Sequence, residues 1–305
     1  MAIISFEDNN LLYVNSFILR DYQQLTDSIF KAKGDLTFYL QRGEKLCGYK
    51  IIRNEPLTEL YNFDFYTVKF YISNSNTLHE QEQEKMFLDL AERLEHDINT
   101  RPGYYNLRVP SQIVDLIRAI NLKLDQLIFC GGTVEEYIFN KGIREQLPTG
   151  LDVFFASEEY LRQNRDRLLA LTYKSFETYQ GQYHISQITS DKAGDIYKNW
   201  IAQSMRTDNA DKIVIAQYKE IPVGFVTIGE NEYAVEGILN AVSEEYRNLG
   251  AYKAMISYLI NYAYDRKKAY VSSTQLDNYI VQGVWGGLGM KPFYSIYNFH
   301  KDLRG

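Results

Sequence analysis

A charged turn, SEEYRNLGAYKAM from Ser243 to Met255, carries the residues with the clearest chemical potential. Arg247 and Gly250 stand three apart, between a strand-like run and an apolar helical run. The start of a helix exposes N–H groups without intrahelical partners and carries partial positive charge, so an anion is favoured there. Glycine lets a diphosphate approach the backbone, and arginine adds a fixed cation. The spacing predicts a phosphate site, with a purely structural turn as the alternative.

Two candidate bases precede this turn in the sequence. In the preceding strand, AVEGILNAV, the two-residue period predicts that Glu236, Ile238, Asn240 and Val242 share one face. Glu236 would then take a proton directly or through water, with Asn240 beside it. A solvated carboxylate is the alternative for Glu236. His184 in QYHIS is the second candidate because its ordinary pKa suits neutral pH, with a hydrogen-bonded structural histidine as the alternative.

Further polar and aromatic residues are candidates for substrate contacts. Gln275 and Asn278 follow a strand end, where ligand sites gather in open α/β sheets. Tyr183 could stack on a nucleotide base. Trp200 could also stack, but it lies on the apolar stripe of a predicted helix, so we expect it in the core.

The elements that position these residues indicate an α/β (α+β) fold in two domains. At 305 residues the chain exceeds the usual size of one hydrophobic core. The polar segment NKGIREQLPTG, residues 140–150, is typical of a linker. We therefore expect an N-terminal α/β domain at 1–145 and a second domain at 150–305.

Both halves alternate strands with helices. In the first half a hairpin turns at Arg42 to Glu44, and EKMFLDLAERLEHDI has the apolar spacing of a helix. In the second half two helices precede the strands KIVIAQY, IPVGFVTI and AVEGILNAV. Both halves end with a strand, a short helix, a glycine-containing turn and a strand. The first domain is therefore expected to be a degenerate copy of the second, with two unrelated α/β ends as the alternative.

Composition narrows the class of function. A net charge of -6 argues against a nucleic-acid binder, which needs Lys and Arg to neutralise phosphates, and favours small-molecule chemistry. The two cysteines, Cys47 and Cys130, are too few for a disulfide framework and lack metal-site spacing, so we expect no metal and a reducing cytoplasm. No apolar stretch reaches the about 18 residues of a membrane helix, so no membrane insertion is expected.

The element order and several motifs together resemble the GNAT superfamily of acyl-CoA-dependent N-acyltransferases across residues 150–305. The matching marks are Val242 at the end of the fourth strand, RNLGAY in the phosphate loop, Asn278, and GLGM before the last strand. The segments FETYQGQYH, IYKNWIAQSM and TQLDN are similar to the TDP-fucosamine acetyltransferase branch, whose members acylate nucleotide-linked amino sugars. Some relatives there use 3-hydroxybutyryl-CoA on dTDP-3-amino-3,6-dideoxyhexoses and carry an extra N-terminal domain.

The resemblance implies a binding site for coenzyme A. Its expected residues are Ala241, Val242, Arg247, Asn248, Leu249, Gly250, Ala251, Tyr252, Asn278 and Trp285. The sequence departs from the family at two of them. Tyr252 stands where the loop commonly has Gly or Ala, and Trp285 stands where many members have a tyrosine that protonates the departing thiolate. Because an indole N–H is not a usable acid, another group or water must supply that proton.

The implied reaction is direct attack of an amine on the thioester of acetyl-CoA or 3-hydroxybutyryl-CoA. Backbone N–H groups around Ala241 and Val242 are expected to hold the oxyanion, without a covalent enzyme intermediate. The expected acceptor is a dTDP-linked amino deoxy sugar for surface polysaccharide (lipopolysaccharide O-antigen or capsule), contacted by Tyr183 and Gln275. The sequence is compatible with a monomer or a homodimer.

Two alternatives to this function also stay open. One is an N-acetyltransferase for another small amine or a peptide N-terminus. The other is a non-catalytic sensor of coenzyme A or nucleotide sugar, which the missing tyrosine favours.

Overall fold

The computed structural model describes residues 2–6, 10–14, 34, 36–43, 45–72, 78–139, 141–144, 147–177, 179, 181–206, 212–230 and 234–305. Its contacts divide the chain into two compact units: Met1–Val134 with Phe293–Gly305, and Glu135–Pro292. The domain boundaries expected from the sequence, 1–145 and 150–305, stay a prediction. Residues 140, 145 and 146 of the predicted linker lie outside the described residues.

Strands and helices alternate through both units, which confirms the predicted α/β (α+β) class. The strands are β1 Ala2–Phe6, β2 Asn10–Val14, β3 Phe38–Arg42, β4 Lys45–Arg53, β5 Phe65–Ile72, β6 Tyr104–Pro110, β7 Ile128–Ile138, β8 Leu151–Phe155, β9 Lys212–Tyr218, β10 Ile221–Glu230, β11 Ala234–Val242, β12 Ala269–Gln275 and β13 Lys291–Asp302. The helices are α1 Glu55–Tyr61, α2 Glu80–Asn99, α3 Val114–Lys123, α4 Glu158–Phe176, α5 Gln182–Ile185, α6 Ala193–Ser204, α7 Ala251–Asp265 and α8 Tyr279–Leu288.

The first unit is built on a sheet that includes β13 from the end of the chain. Its strand order is β3-β4-β5-β6-β13, and only the β5–β6 pair is parallel. One face of this sheet packs on α2 and α3. As the apolar spacing predicts, α2 buries one face there, formed by Met86, Phe87, Leu90, Leu94 and Ile98.

The second unit has the strand order β12-β11-β10-β9-β8, and only β11–β12 is parallel. The predicted turn between β9 and β10 is present, with positive φ at Lys219 (48°) and Glu220 (67°). Two adjacent left-handed residues match the right-handed twist of a hairpin. Helix α7 packs its apolar face on β9, β10 and β11, where Met255 and Leu259 are fully buried.

Two parts of the chain share one order of elements. The first contains strands β3, β4 and β5, helix α2, strand β6, helix α3 and strand β7, with the short helix α1 inserted between β4 and β5. The second contains strands β9, β10 and β11, helix α7, strand β12, helix α8 and strand β13 in the same order. In both series two antiparallel pairs precede one parallel pair whose crossover is the longer helix. This order agrees with a duplicated fold.

Candidate active site

Strands β11 and β12 part in the middle of the second unit. They pair in parallel from Ala234↔Ala269 to Gly237↔Ser272, and the pairing stops there. Strand β11 nevertheless continues to Val242, still paired with β10, and β12 continues to Gln275. The two carboxyl ends therefore enclose a gap. Ligand sites in open α/β sheets gather at such strand ends.

The amides of β11 that face this gap follow from the hydrogen bonds on its other edge. The Leu239 amide donates to a threonine hydroxyl of β10 at 3.1 Å, and the Ser243 amide donates to a β10 carbonyl at 2.8 Å. Successive amides of a strand point to opposite edges, so the Ala241 amide also points to β10. The amides of Asn240 and Val242 point to the gap. Of the two amides expected to hold an oxyanion, Val242 is the one turned toward it.

A β-bulge in β11 places the two predicted polar residues of this strand on opposite faces. Glu236 pairs with Gly229, and Asn240 pairs with Val226, three positions away on β10. Because β11 has one more residue than β10 between these pairs, the two-residue period is broken. The prediction that Glu236 and Asn240 share a face is wrong. Asn240 lies on the α7 side with Val226, and Glu236 lies on the opposite side, where α4 packs on β10 and β11.

The phosphate turn predicted from the sequence leads directly into α7. Gly250 is the N-cap residue in the left-handed region (φ 74°, ψ 7°), and Asn248 is also left-handed (φ 71°). The first intrahelical bond runs from the Ala254 amide to the Gly250 carbonyl at 2.9 Å, and no side chain caps the helix. Arg247 is exposed and pairs with Glu244 at 3.2 Å. The earlier amides of α7 thus have no intrahelical acceptor and suit an anion.

The corresponding helix of the first unit begins differently. The first turn of α2 contains Glu80 and Glu82, and the Glu82 carboxylate accepts the His79 amide at 3.2 Å. The first turn of α7 contains no acidic residue. The start of a helix carries partial positive charge. The carboxylates in the first turn of α2 compensate this charge, whereas the first turn of α7 has none and can bind an external anion.

The end of β12 and the start of α8 form the other side of the gap. The Asn278 side chain caps α8 by accepting the Val281 amide at 3.4 Å, and its Nδ2 donates to Thr274 Oγ1 at 2.9 Å. Gln275, half-buried, ends β12. The Tyr179 hydroxyl lies beside Thr274 and Asn278. Burial raises the pKa of Tyr179, and these polar neighbours oppose the rise. Sequence reasoning did not assign Tyr179, although it lies within FETYQGQYH.

Tyr252 and Trp285, the two residues at which the sequence departs from the GNAT pattern, contact each other. The fully buried Trp285 indole donates from Nε1 to the Tyr252 hydroxyl oxygen at 2.9 Å. The side chain of Tyr252 is therefore turned toward α8. Burial raises the pKa of Tyr252 well above its ordinary value, and the indole donor opposes that rise.

His184, Tyr183 and Trp200 were also singled out in the sequence, and they lie in the region of α4 to α6. A ring nitrogen of His184, Nε2, lies 3.3 Å from the Glu177 carbonyl oxygen, and burial lowers the His184 pKa. Tyr183 is only 8% exposed and meets Tyr197 edge-on at 6.2 Å. Trp200 is 38% exposed, so the expectation of a core tryptophan is wrong. Its helix α6 buries a narrower stripe than the apolar spacing indicates.

Among the residues that the structure describes, no group of three or more His, Cys, Asp or Glu is arranged to hold a metal ion. None of the described helices is both long and apolar enough to cross a membrane.

Comparison with known proteins identifies this arrangement. The sequence profile of the acetyltransferase (GNAT) family matches residues 172–290, which include the parted strands, the Gly250 turn and α8. Residues 172–290 are therefore similar to the acetyltransferase (GNAT) family. This confirms the family-level resemblance and the prediction of an acyl-CoA-dependent acyltransferase. No curated protein matches the sequence.

Solved structures with the same fold extend over most of the chain. A GCN5-related N-acetyltransferase from Sphaerobacter thermophilus is 9% identical with a TM-score of 0.57, over 86% of this chain and 77% of that one. An acetyltransferase of the GNAT family from Colwellia psychrerythraea covers 98% of this chain and 99% of its own, with a TM-score of 0.52 and 9% identity. At such identities the likeness concerns the fold alone.

Proposed function

We propose that residues 135–292 bind acyl-CoA with its diphosphate at the start of α7 and its thioester in the gap between β11 and β12. The observation that carries this proposal is that the gap between β11 and β12 and the uncapped start of α7 occur in the same unit. Pairing of β11 with β12 stops at Gly237, and β11 leads within a short turn to the uncapped, acid-free start of α7. The anionic and the extended parts of coenzyme A are thus accommodated by consecutive elements.

Direct attack by an amine is the chemistry that fits these groups. The amides of Asn240 and Val242 point into the gap, where they would donate to the oxyanion that forms as the amine attacks. A preorganised donor of this kind contributes about 3 kcal/mol. Holding both reactants in one gap contributes more, up to about 7 to 11 kcal/mol in ideal geometry.

Glu236 is the base in this proposal. It lies beside the last paired residue of β11, on the face opposite α7, so an acceptor amine that enters from the α4 side meets its carboxylate. The carboxylate takes the ammonium proton directly or through water. His184 is a weaker candidate because one ring nitrogen lies against a backbone carbonyl at the end of α4.

The acceptor in this proposal is a dTDP-linked amino deoxy sugar, and the acyl group is acetyl or 3-hydroxybutyryl. The support for this acceptor is the resemblance of FETYQGQYH, IYKNWIAQSM and TQLDN to the amino-sugar branch. Gln275 ends β12 at the gap and keeps its role as an acceptor contact. Tyr183 is packed against Tyr197 and would shape the site rather than stack on a base. The product would serve surface polysaccharide synthesis.

The test is transfer by the purified protein. Acetyl-CoA or 3-hydroxybutyryl-CoA is mixed with a panel of dTDP-amino sugars, free amino sugars and peptides, and both free thiol and product mass are followed. We expect thiol release that depends on the dTDP-amino sugar, with a product heavier by one acyl group. Acylation of peptides only would reject the amino sugar as the acceptor and indicate a peptide acceptor. Coenzyme A binding without thiol release on the whole panel would indicate a sensor.

A further inference from the structure

The Tyr252 hydroxyl accepts a hydrogen bond from Trp285, but its own hydrogen has no acceptor among the described residues. The indole N–H occupies a lone pair of the Tyr252 oxygen at 2.9 Å, so the hydroxyl accepts here and its own hydrogen points elsewhere. Among the residues that the structure describes, no acceptor for that hydrogen lies within hydrogen-bond distance. The Tyr252 side chain is half-buried, so this hydrogen is available to water or to a ligand that brings an acceptor.

The Tyr252 hydroxyl lies near the gap between β11 and β12. Tyr252 is the second residue of α7, directly after the proposed diphosphate turn, and α7 packs on the face of β11 that carries Asn240. The phenol of Tyr270 lies close enough to affect the pKa of Tyr252. Tyr270 itself marks the place where the strands part, because a Cβ on Gly237 would overlap its hydroxyl. The Tyr252 hydroxyl is therefore on the α7 side of the gap.

Two other phenols lie near, but their places differ. The Tyr270 hydroxyl is buried at the closed end, where β11 and β12 are still paired, and it has no hydrogen-bond partner among the described residues. The Tyr179 hydroxyl lies among Thr274, Gln275 and Asn278 at the opposite, open end. Tyr252 alone has an oxygen fixed by a rigid buried donor and a hydrogen left over.

We propose that Tyr252 donates the proton that coenzyme A sulfur takes up as it leaves, and that Trp285 is the positioning residue that holds it. The inference rests on the proposed acyl transfer. The amine nitrogen bonds to the acyl carbon, the carbon–sulfur bond breaks with its electron pair on sulfur, and the Tyr252 hydrogen passes to sulfur. Glu236 takes the ammonium proton before the attack, and the second proton that the nitrogen loses on becoming an amide passes through water to the Tyr252 oxygen.

The first experiment needs no acceptor. The thiol of coenzyme A bound to the protein is titrated by thiolate absorbance near the ultraviolet edge, in the wild type, Tyr252→Phe and Tyr258→Phe. A hydroxyl donor stabilises the thiolate, so we expect the bound thiol pKa to be about one unit lower in the wild type than in Tyr252→Phe. Tyr258→Phe, the same change on the same helix, should match the wild type. Equal thiol pKa values in all three proteins would overturn the inference, as would a shift produced by Tyr179→Phe instead.

The second experiment is kinetic. Loss of a general acid lowers kcat by about 10²-fold or more, so Tyr252→Phe should lose that much kcat while its Kd for coenzyme A is kept. The double variant Tyr252→Phe with Trp285→Tyr returns a hydroxyl from α8 and should recover at least about a tenth of the lost rate. An unchanged kcat in Tyr252→Phe contradicts the inference but leaves the proposed transfer intact. A shifted thiol pKa without transfer to any sugar rejects the acceptor and keeps the role of Tyr252.

Discussion

Gly250→Ala tests the turn before α7 by backbone conformation. Gly250 has φ 74°, a region in which a residue with a Cβ is disfavoured by about 1 to 2 kcal/mol. A Cβ built there meets only Pro148 Cγ, at 3.5 Å, which is an ordinary contact. The substitution therefore adds no overlap within the protein, and its whole cost is conformational.

This cost must appear in folding stability, in coenzyme A affinity, or in both. If the alanine is held left-handed, the free energy of unfolding falls by about 1 to 2 kcal/mol. If the turn relaxes, coenzyme A must restore it, and Kd rises by about 5- to 30-fold. The two losses should add to at least about 1 kcal/mol, and a methyl group against the diphosphate would increase the loss of affinity.

Urea unfolding and titration calorimetry with coenzyme A measure the two terms. Gly283→Ala in α8 is the matched control, since its added Cβ has no neighbour within 4 Å and its backbone is helical. The control should gain up to about 1 kcal/mol of stability and keep its affinity. Gly250→Ala with unchanged stability and unchanged affinity would refute the reasoning.

Three further predictions concern the cap of α8, a buried histidine and the proposed base. Asn278→Ala should lower the free energy of unfolding by about 0.5 to 2 kcal/mol in urea, through loss of the bond to the Val281 amide. Burial lowers the His300 pKa to about 4, so stability should fall by at most about 3 kcal/mol as pH drops from about 6.5 to 4; His300→Gln should show a flatter pH profile in the same range. Glu236→Gln should lower kcat by about 10²- to 10⁴-fold with little change in Kd for coenzyme A, measured by thiol release and calorimetry; a normal kcat would remove Glu236 from the reaction.

Local sequence signals predicted the elements whose causes are local. The start of α7 follows Gly250 because glycine alone adopts the left-handed region without cost. The β9–β10 hairpin follows from a short polar turn between two apolar strands. The buried face of α2 follows from apolar residues at helical spacing.

The features that the sequence did not predict depend on partners distant along the chain. The bulge in β11 is a mismatch with β10, and one strand alone does not show how many residues its neighbour has. The bond between Tyr252 and Trp285 joins two helices, whereas each residue by itself only departs from a family pattern. Trp200 lies on an apolar stripe, but the width of the surface that covers α6 decides its exposure.

A crystal structure of the protein with coenzyme A tests the central claim most directly. We expect diphosphate oxygens within about 2.7 to 3.2 Å of the backbone amides at the start of α7, including those of Gly250 and Ala251. The pantetheine arm should run between the diverging ends of β11 and β12, with its sulfur beside the Tyr252 hydroxyl. Coenzyme A bound at any other surface, with the amides of α7 facing only water, would contradict the claim.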